Sequence, residues 1–266
     1  MLSSFEKSKV VLLPVPYGKT VSYRKGTEKG PGAILSALDN LELFDDELNK
    51  ETHNIGITAL DPLKVGELKP KAMIDVVEKK VSELFTQNKF PVVIGGEHTV
   101  TIGAVKAAKK KYKDLSILYF DAHADLRDSY EGNKYSHACV ARRLTEIAPI
   151  VEMGVRSLSK EEHDYLGNLV GCQNSNLRGC RGLSNDVYIS IDLDVFDPSI
   201  MPSVGTPEPG GMLWHEFLKN IRSIIKDKNI VGLDVVELSP IKDMVAPDFT
   251  AAKLIYKIIG YIFPEK

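Results

Sequence analysis

The chain has 266 residues, 43% of them hydrophobic and 26% charged, with a formal net charge of −2. That is the composition of an ordinary globular protein, and so small a net charge excludes a general attraction to nucleic acid or anionic membrane. No apolar run reaches the ~20 residues that span a bilayer, and the first residues lack a signal-peptide core.

Apolar runs and amphipathic segments alternate along the chain. Strands are predicted at 10–15, 91–94, 115–120, 150–155, 187–191 and 230–236, each rich in Val, Ile and Leu. Helices are predicted at 70–87, 99–111, 137–146, 214–226 and 251–263. In the first of these, Met73, Ile74, Val77, Val81 and Leu84 recur near a 3.6 period. Near-continuous apolar strands separated by helices predict a mostly parallel sheet covered on both faces. The expectation is one three-layer α/β/α domain over residues 1–266. The longest irregular stretches are 16–32, 124–136 and 197–212. The Lys109-Lys110-Lys111-Tyr112-Lys113 run reads as a solvated helix end. Cys139, Cys172 and Cys180 form no CxxC motif, which suits reduced thiols in a cytoplasmic setting; pairing of Cys172 with Cys180 stays open.

Three strand ends carry metal-type side chains. The run 115–120 leads into Asp121-Ala122-His123-Ala124-Asp125. In extended chain, positions i, i+2 and i+4 share a face, so these three ligands would converge with only methyl groups between them. Alone, the triplet also fits a turn cluster after a strand. The run 187–191 ends in Asp192 and Asp194, and 91–94 leads into Gly95-Gly96-Glu97-His98. Parallel sheets bind ligands beyond the carboxyl ends of their strands, and all six candidates fall there. His98, Asp121, His123, Asp125, Asp192 and Asp194 exceed the needs of one tetrahedral zinc and include no thiolate. They suit two octahedral divalent cations, with the imidazoles favouring Mn²⁺ over Mg²⁺.

Together these motifs resemble the signatures of the ureohydrolases (arginase, agmatinase and relatives). Further blocks fit: Gly26-Thr-Glu-Lys-Gly-Pro-Gly32, Val204-Gly-Thr-Pro-Glu-Pro-Gly-Gly211 and Gly232-Leu-Asp-Val-Val-Glu-Leu-Ser-Pro240. The resemblance covers nearly the whole chain and implies an arginase-like fold with two Mn²⁺ ions per subunit. It places His98, Asp121, Asp125 and Asp192 on one ion, and His123, Asp121, Asp192 and Asp194 on the other. Asp121 and Asp192 would bridge. It implies catalytic roles for His137 as a proton shuttle, Glu237 as the carboxylate that meets a guanidinium, and Asp125 as an acceptor beside a metal-bridging hydroxide. Hydroxide attack on the guanidinium carbon would release an amine and urea. Four aspartates balance two divalent cations; hydroxide and Glu237 then leave the site anionic, which favours a small cationic substrate. The resemblance also implies a homo-oligomer, trimer or hexamer.

The loop after the triplet, Leu126-Arg127-Asp128-Ser129-Tyr130-Glu131-Gly132, departs from arginases, which typically carry asparagine where Arg127 stands. It looks like some agmatinases, so the expected reaction is agmatine plus water to putrescine plus urea, a step of polyamine biosynthesis. Asp128 or Glu131 could meet the distal ammonium. Arginase, guanidinobutyrase, formimidoylglutamase and proclavaminate amidino hydrolase activities use the same frame and remain alternatives; a catalytically silent metal-binding scaffold is the non-enzyme alternative. Ala138 and Cys139 follow His137 where many members have glycine, so that side of the pocket is expected to differ. Glu97 is expected to support rather than react, Asp197 to brace its loop, Glu208 to shape the 204–211 loop, Cys139 to pack, Asp234 and Ser239 to orient the Glu237 loop, and His163 and His215 to lie at the surface.

Overall fold

The computed structural model describes residues 3–166 and 182–264. Cys172 and Cys180 lie outside the described residues. In chain order the strands are β1 (Val10–Val15), β2 (Phe44–Asp45), β3 (Lys50–Glu51), β4 (Ile57–Ala59), β5 (Phe90–Gly95), β6 (Leu115–Phe120), β7 (Ile150–Met153), β8 (Asp186–Asp192) and β9 (Asn229–Val236). The α-helices are α1 (Gly30–Leu38), α2 (Pro70–Thr86), α3 (Val100–Lys111), α4 (Val140–Thr145), α5 (Lys160–Leu166), α6 (Trp214–Ile225) and α7 (Ala246–Ile262).

Seven strands form one sheet in the order β4-β1-β5-β9-β8-β6-β7, and every pairing in it is parallel. Alternate strand residues feed opposite cores. Val10 and Leu12 of β1, Val92 and Ile94 of β5, and Leu118 and Phe120 of β6 join the core under α1, α6 and α7. Val11 and Leu13, Val93, and Ile117 and Tyr119 join the other, under α2, α3 and α4. The three-layer, parallel expectation therefore holds, and the period-2 alternation explains why each strand reads as continuously apolar.

Four helical segments differ from the sequence expectation. Helix α1 begins inside a stretch expected to be irregular. Gly30-Pro31-Gly32 looks like a break, but proline in a first turn lacks only an amide that needs no helical partner, and Ile34 and Leu38 behind it are buried. Helix α7 starts five residues before the expected Ala251, again with proline in its first turn. The predicted 137–146 helix divides into a 3₁₀ turn, His137–Cys139, and α4. Helix α5 and edge strand β4 were both absent from the sequence expectation, being too short to show a period.

The layer order positions the site. β5, β9, β8 and β6 are consecutive neighbours in the sheet, so the chain segments leaving their carboxyl ends emerge side by side. At the end of β5 the backbone runs so close to the first long loop that a Cβ on Gly96 would lie 2.0 Å from the Tyr17 carbonyl oxygen. Only glycine allows that approach.

Candidate metal centre

The turn after β5 is braced by Glu97. Its buried carboxylate accepts from the Thr20 amide at 2.6 Å, the Thr20 hydroxyl at 2.7 Å and the Thr99 hydroxyl at 2.8 Å, the supporting part expected of it. The next residue, His98, is 1% exposed and lies flat against Tyr119, with ring centroids 4.6 Å apart. Its amide donates to Glu237 Oε1 at 2.7 Å. Its Nδ1 lies 3.1 Å from Asp121 Oδ2, 3.1 Å from Asp192 Oδ2 and 3.7 Å from Asp125 Oδ2.

Asp121 is the first residue past β6. Its Oδ1 accepts from the His123 amide at 2.6 Å, while its buried Oδ2 has no hydrogen-bond partner. His123 Nδ1 lies 2.8 Å from Asp194 Oδ2 and 3.6 Å from Asp121 Oδ1. Two groups thus have ligand atoms close enough to hold an ion each: His98, Asp121 and Asp192, and Asp121, His123 and Asp194. Asp121 belongs to both. Asp192 belongs to the first only, and Asp125 to neither, although Asp125 Oδ2 faces His98 and accepts from Tyr119 Oη at 2.9 Å.

Asp125 arrives there by a route other than strand alternation. Its φ is +51°, a left-handed conformation that aspartate tolerates better than most residues. The chain has left extended geometry by this point, and the turn brings the carboxylate back. Likewise Asp194 sits in the 3₁₀ turn Leu193–Val195, not on the strand; its amide donates to Asp192 Oδ1 at 2.8 Å and its Oδ1 accepts from the Ala122 amide at 2.9 Å.

The electrostatics of this cluster call for positive charge. Burial, followed by repulsion from neighbouring carboxylates, pushes the pKa values of Asp125, Asp192 and Asp194 up. Burial and the nearby Glu97 do the same to Glu237. Burial opposes charge on the histidines, yet Asp121 and Asp192 hold His98 well above its ordinary value, and Asp121 and Asp194 push His123 up to about 12. For Asp121, burial is outweighed by the two histidines beside it, which hold it down. Crowded buried carboxylates, an orphaned Asp121 oxygen and an all N/O donor set fit divalent cations of the Mn²⁺ or Mg²⁺ type.

A cavity of about 270 Å³ opens on the cluster, lined by His98, His123, Asp125, Asp192, Asp194 and Glu237 and by Arg24, Arg127, Tyr130, His137, Leu158 and Glu162. His137 Nδ1 lies 3.3 Å from Thr20 Oγ1 and Nε2 3.3 Å from Ser22 Oγ. Burial, then the positive charge on His123 and His98, lowers its pKa to about 4, so its ring is neutral near pH 7. Glu237, at φ +67°, occupies the left-handed region just past β9.

Sequence reasoning missed Glu162, Arg24 and Ser157–Ser159 as pocket residues. Glu162 is buried; it accepts from the Leu126 amide at 3.0 Å and the Ser159 amide at 2.7 Å, and Arg127 lies 3.7 Å away. It ties the loop after Asp125 to the start of α5. The Ser159-x-x-Glu162 capping box was the available signal. Asp128 and Glu131, expected near a substrate ammonium, do not line the cavity: Asp128 pairs with Arg143 at 2.8 Å, and Glu131 is exposed. Asp197 braces its loop by accepting from the Ser199, Gly210 and Gly211 amides. Glu208 Oε1 accepts from Ser157 Oγ at 2.9 Å and lies 3.7 Å from His123 Nε2, so it reaches the cluster's edge as well as shaping its loop. Cys139 is a buried free thiol whose pKa burial pushes up to about 11, consistent with packing. His163 and His215 are exposed. Ser239 donates to the Lys25 carbonyl at 3.1 Å, but Asp234 turns away from the Glu237 loop and accepts from Ser190.

Parallel strand ends carrying two carboxylate–imidazole groups beside a buried glutamate define a hydrolase of the metal-assisted class. Residues 8–260 match the arginase family model, and the chain belongs to that family. It is similar to the N(1)-aminopropylagmatine ureohydrolase of Synechocystis sp., 37% identical over 98% of this chain and 91% of that protein. It is 36% identical to an agmatinase of Bacillus cereus, over 90% of this chain and 87% of that one. The solved agmatine ureohydrolase of Thermoplasma volcanium superimposes with a TM-score of 0.83 at 32% identity, over 98% of this chain and 92% of that one. The protein is therefore an enzyme acting on guanidino C–N bonds. Among the described residues no helix is long and apolar enough to cross a membrane.

Proposed function

We propose that the chain hydrolyses agmatine to putrescine and urea, with two Mn²⁺ ions held by His98, Asp121, His123, Asp125, Asp192 and Asp194. The observation that carries this reading is the cavity itself, in which Glu237 faces the same small space as the carboxylate–imidazole cluster. A bound cation pair supplies positive charge and a water of lowered pKa. The chain supplies the rest. Glu237 Oε1 is held by the His98 amide, which leaves Oε2 to accept from a guanidinium N–H. Asp125 holds the attacking water by a hydrogen bond. Attack at the guanidinium carbon is followed by cleavage of the C–N bond to the amine, which takes up a proton. His137 is neutral near pH 7 and can carry that proton between solvent and the cavity.

A second substrate reading is favoured by the names of similar proteins. Relatives called aminopropylagmatine ureohydrolase and agmatinase are almost equally similar to this chain, at 37% and 36% identity. Both substrates are guanidino cations without a carboxylate. Urea release should be measured from agmatine, N1-aminopropylagmatine and arginine, after chelation and after adding back Mn²⁺. Release from arginine alone would refute the substrate class. No release from any of the three, with Mn²⁺ bound, would refute the hydrolase mechanism. From the absence of a CxxC motif among its three cysteines we also infer a cytoplasmic setting, and by resemblance to the family a homo-oligomer, trimer or hexamer; light scattering of the purified protein tests the assembly.

The cluster also sets a pH dependence. The metal-free histidines and most of the aspartates bind protons more tightly than in the unfolded chain. Groups with raised folded pKa values lend stability that is complete below the unfolded pKa and is lost as pH rises through the folded one. The same protons compete with a metal ion. The Mn²⁺-induced rise in Tm is therefore expected to be larger at pH 8 than at pH 6. At a hundredfold excess over Kd, binding stabilises by about 2.7 kcal/mol. Differential scanning fluorimetry at the two pH values reads the difference, and an equal or smaller shift at pH 8 contradicts it.

A further inference from the structure

The loop that follows β1 lines the cavity from Val21 to Arg24, and just before that stretch it brings a hydroxyl group to His137. The Glu97 amide donates to the Tyr17 carbonyl at 2.7 Å, which fixes the loop against the turn after β5. Thr20, further along the loop, is half-buried. Its amide and its hydroxyl donate to the two Glu97 carboxylate oxygens at 2.6 and 2.7 Å. On its other side Thr20 Oγ1 meets His137. It accepts from the His137 amide at 2.9 Å and lies 3.3 Å from the ring Nδ1. The chemistry above uses His137 and gives Thr20 no part.

Counting protons at Thr20 Oγ1 fixes the histidine tautomer. Glu97 takes the Thr20 amide and the Thr20 and Thr99 hydroxyls as donors, as a carboxylate that only accepts. The one hydroxyl proton of Thr20 therefore goes to Glu97. Its oxygen has two acceptor positions left, and the His137 amide fills one. The second faces Nδ1, where two bare lone pairs would repel, so Nδ1 carries the proton. Ser136 Oγ also lies 3.3 Å from Nδ1; its hydroxyl can turn to accept and does not oppose this. In the neutral ring Nε2 is then bare. It lies 3.3 Å from the hydroxyl of Ser22, an exposed residue of the cavity wall. The Tyr130 ring stands edge-on to the imidazole, with centroids 5.9 Å apart.

We propose that Thr20 is a positioning residue for proton transfer: oriented by Glu97, it holds His137 in the Nδ1–H tautomer and so presents Nε2 as the one ring atom that takes up and releases a proton. Nε2 takes that proton from water, directly or across Ser22. It then gives it to the leaving amine nitrogen as the C–N bond breaks, the electron pair of that bond staying on nitrogen. The Nδ1–H bond to Thr20 persists throughout, so the ring returns to the tautomer in which it began. The inference rests on the proton-carrying role proposed for His137 and not on the choice of guanidino substrate.

Urea release by the Mn²⁺-loaded enzyme is measured with whichever guanidino cation the wild type hydrolyses. Thr20→Val keeps the shape of the side chain and removes the hydroxyl, while Glu97 keeps the residue-20 amide and the Thr99 hydroxyl as donors. Its kcat is expected to fall by about 10–100-fold, with KM and Mn²⁺ content unchanged. Thr20→Ser, which keeps the hydroxyl, should restore kcat. Thr20→Val added to His137→Asn should cost nothing further. A loop-holding role alone would raise KM or lower Mn²⁺ content, and its effect would not depend on His137. Wild-type kcat in Thr20→Val, no recovery in Thr20→Ser, or an additive loss in the double variant overturns the assignment. If Thr20→Val does not fold, neutron diffraction from wild-type holoenzyme crystals decides: deuterium on Nδ1 is expected, and its absence there overturns the assignment. Full activity of His137→Asn refutes the proton-carrying role and this inference with it. Wild-type kcat in Thr20→Val beside an inactive His137→Asn refutes this inference alone.

Discussion

Asp121→Asn is expected to all but abolish urea release, at any Mn²⁺ concentration the protein tolerates. Asp121 is the one residue common to both potential ion-binding groups. Its Oδ1 is engaged by the His123 amide, and its buried Oδ2 has no hydrogen-bond partner. Asparagine keeps the volume and one acceptor but removes the charge that both groups share. Loss of an outer-shell partner costs about 10–100-fold in metal affinity or activity, and loss of a shared first ligand should exceed that. The metal-free fold should survive, because the substitution is isosteric and keeps an acceptor for the His123 amide, and the attraction to His98 and His123 that it removes is offset by relief of the carboxylate crowding that pushes Asp125, Asp192 and Asp194 upward. Metal content by inductively coupled plasma mass spectrometry and urea release decide it. Two ions per chain with activity within tenfold of wild type would sink the shared-ligand reading.

Glu237→Gln should separate substrate capture from metal binding. A glutamine oxygen can still accept from the His98 amide that Glu237 Oε1 engages at 2.7 Å, so the turn after β9 should stay in place. The lost charge is the one assigned to the guanidinium. Truncating one side of a buried, hydrogen-bonded charge pair costs about 2–5 kcal/mol, so kcat/KM should fall by at least roughly 30-fold, since 1.4 kcal/mol is a factor of about ten. Mn²⁺ stoichiometry should be unchanged. If instead metal content falls and kcat/KM recovers on adding Mn²⁺, Glu237 belongs to the metal centre and its assigned role is wrong.

The strands were legible because burial on both faces writes itself as continuous runs of Val, Ile and Leu. The longer helices α2, α3 and α6 were legible because a buried face recurs along them near a 3.6-residue period. Helices α1 and α5 were not. The first hides behind Gly30-Pro31-Gly32, and the second is seven polar-rich residues whose only mark is a capping box. Asp125 shows that a correct residue can come from an incomplete reason. Strand alternation picked it out, but its φ of +51° puts it in a turn, and the turn rather than the pleat aims it at His98. Asp128 and Glu131 show the reverse error. Their loop position suggested contact with substrate, yet the chain turns them outward and Glu162, a short helix away, lines the space.

By itself the sequence determined which side chains stand at strand ends, because hydrophobic periodicity and the residues that follow a strand are properties of neighbouring positions. It also carried enough ordered motifs to reveal the family. Only the tertiary structure decided that β5, β9, β8 and β6 lie side by side, so that His98, Glu237, Asp192 and Asp121 meet. The order of parallel strands is set by how crossover helices pack across the sheet, which no local pattern encodes.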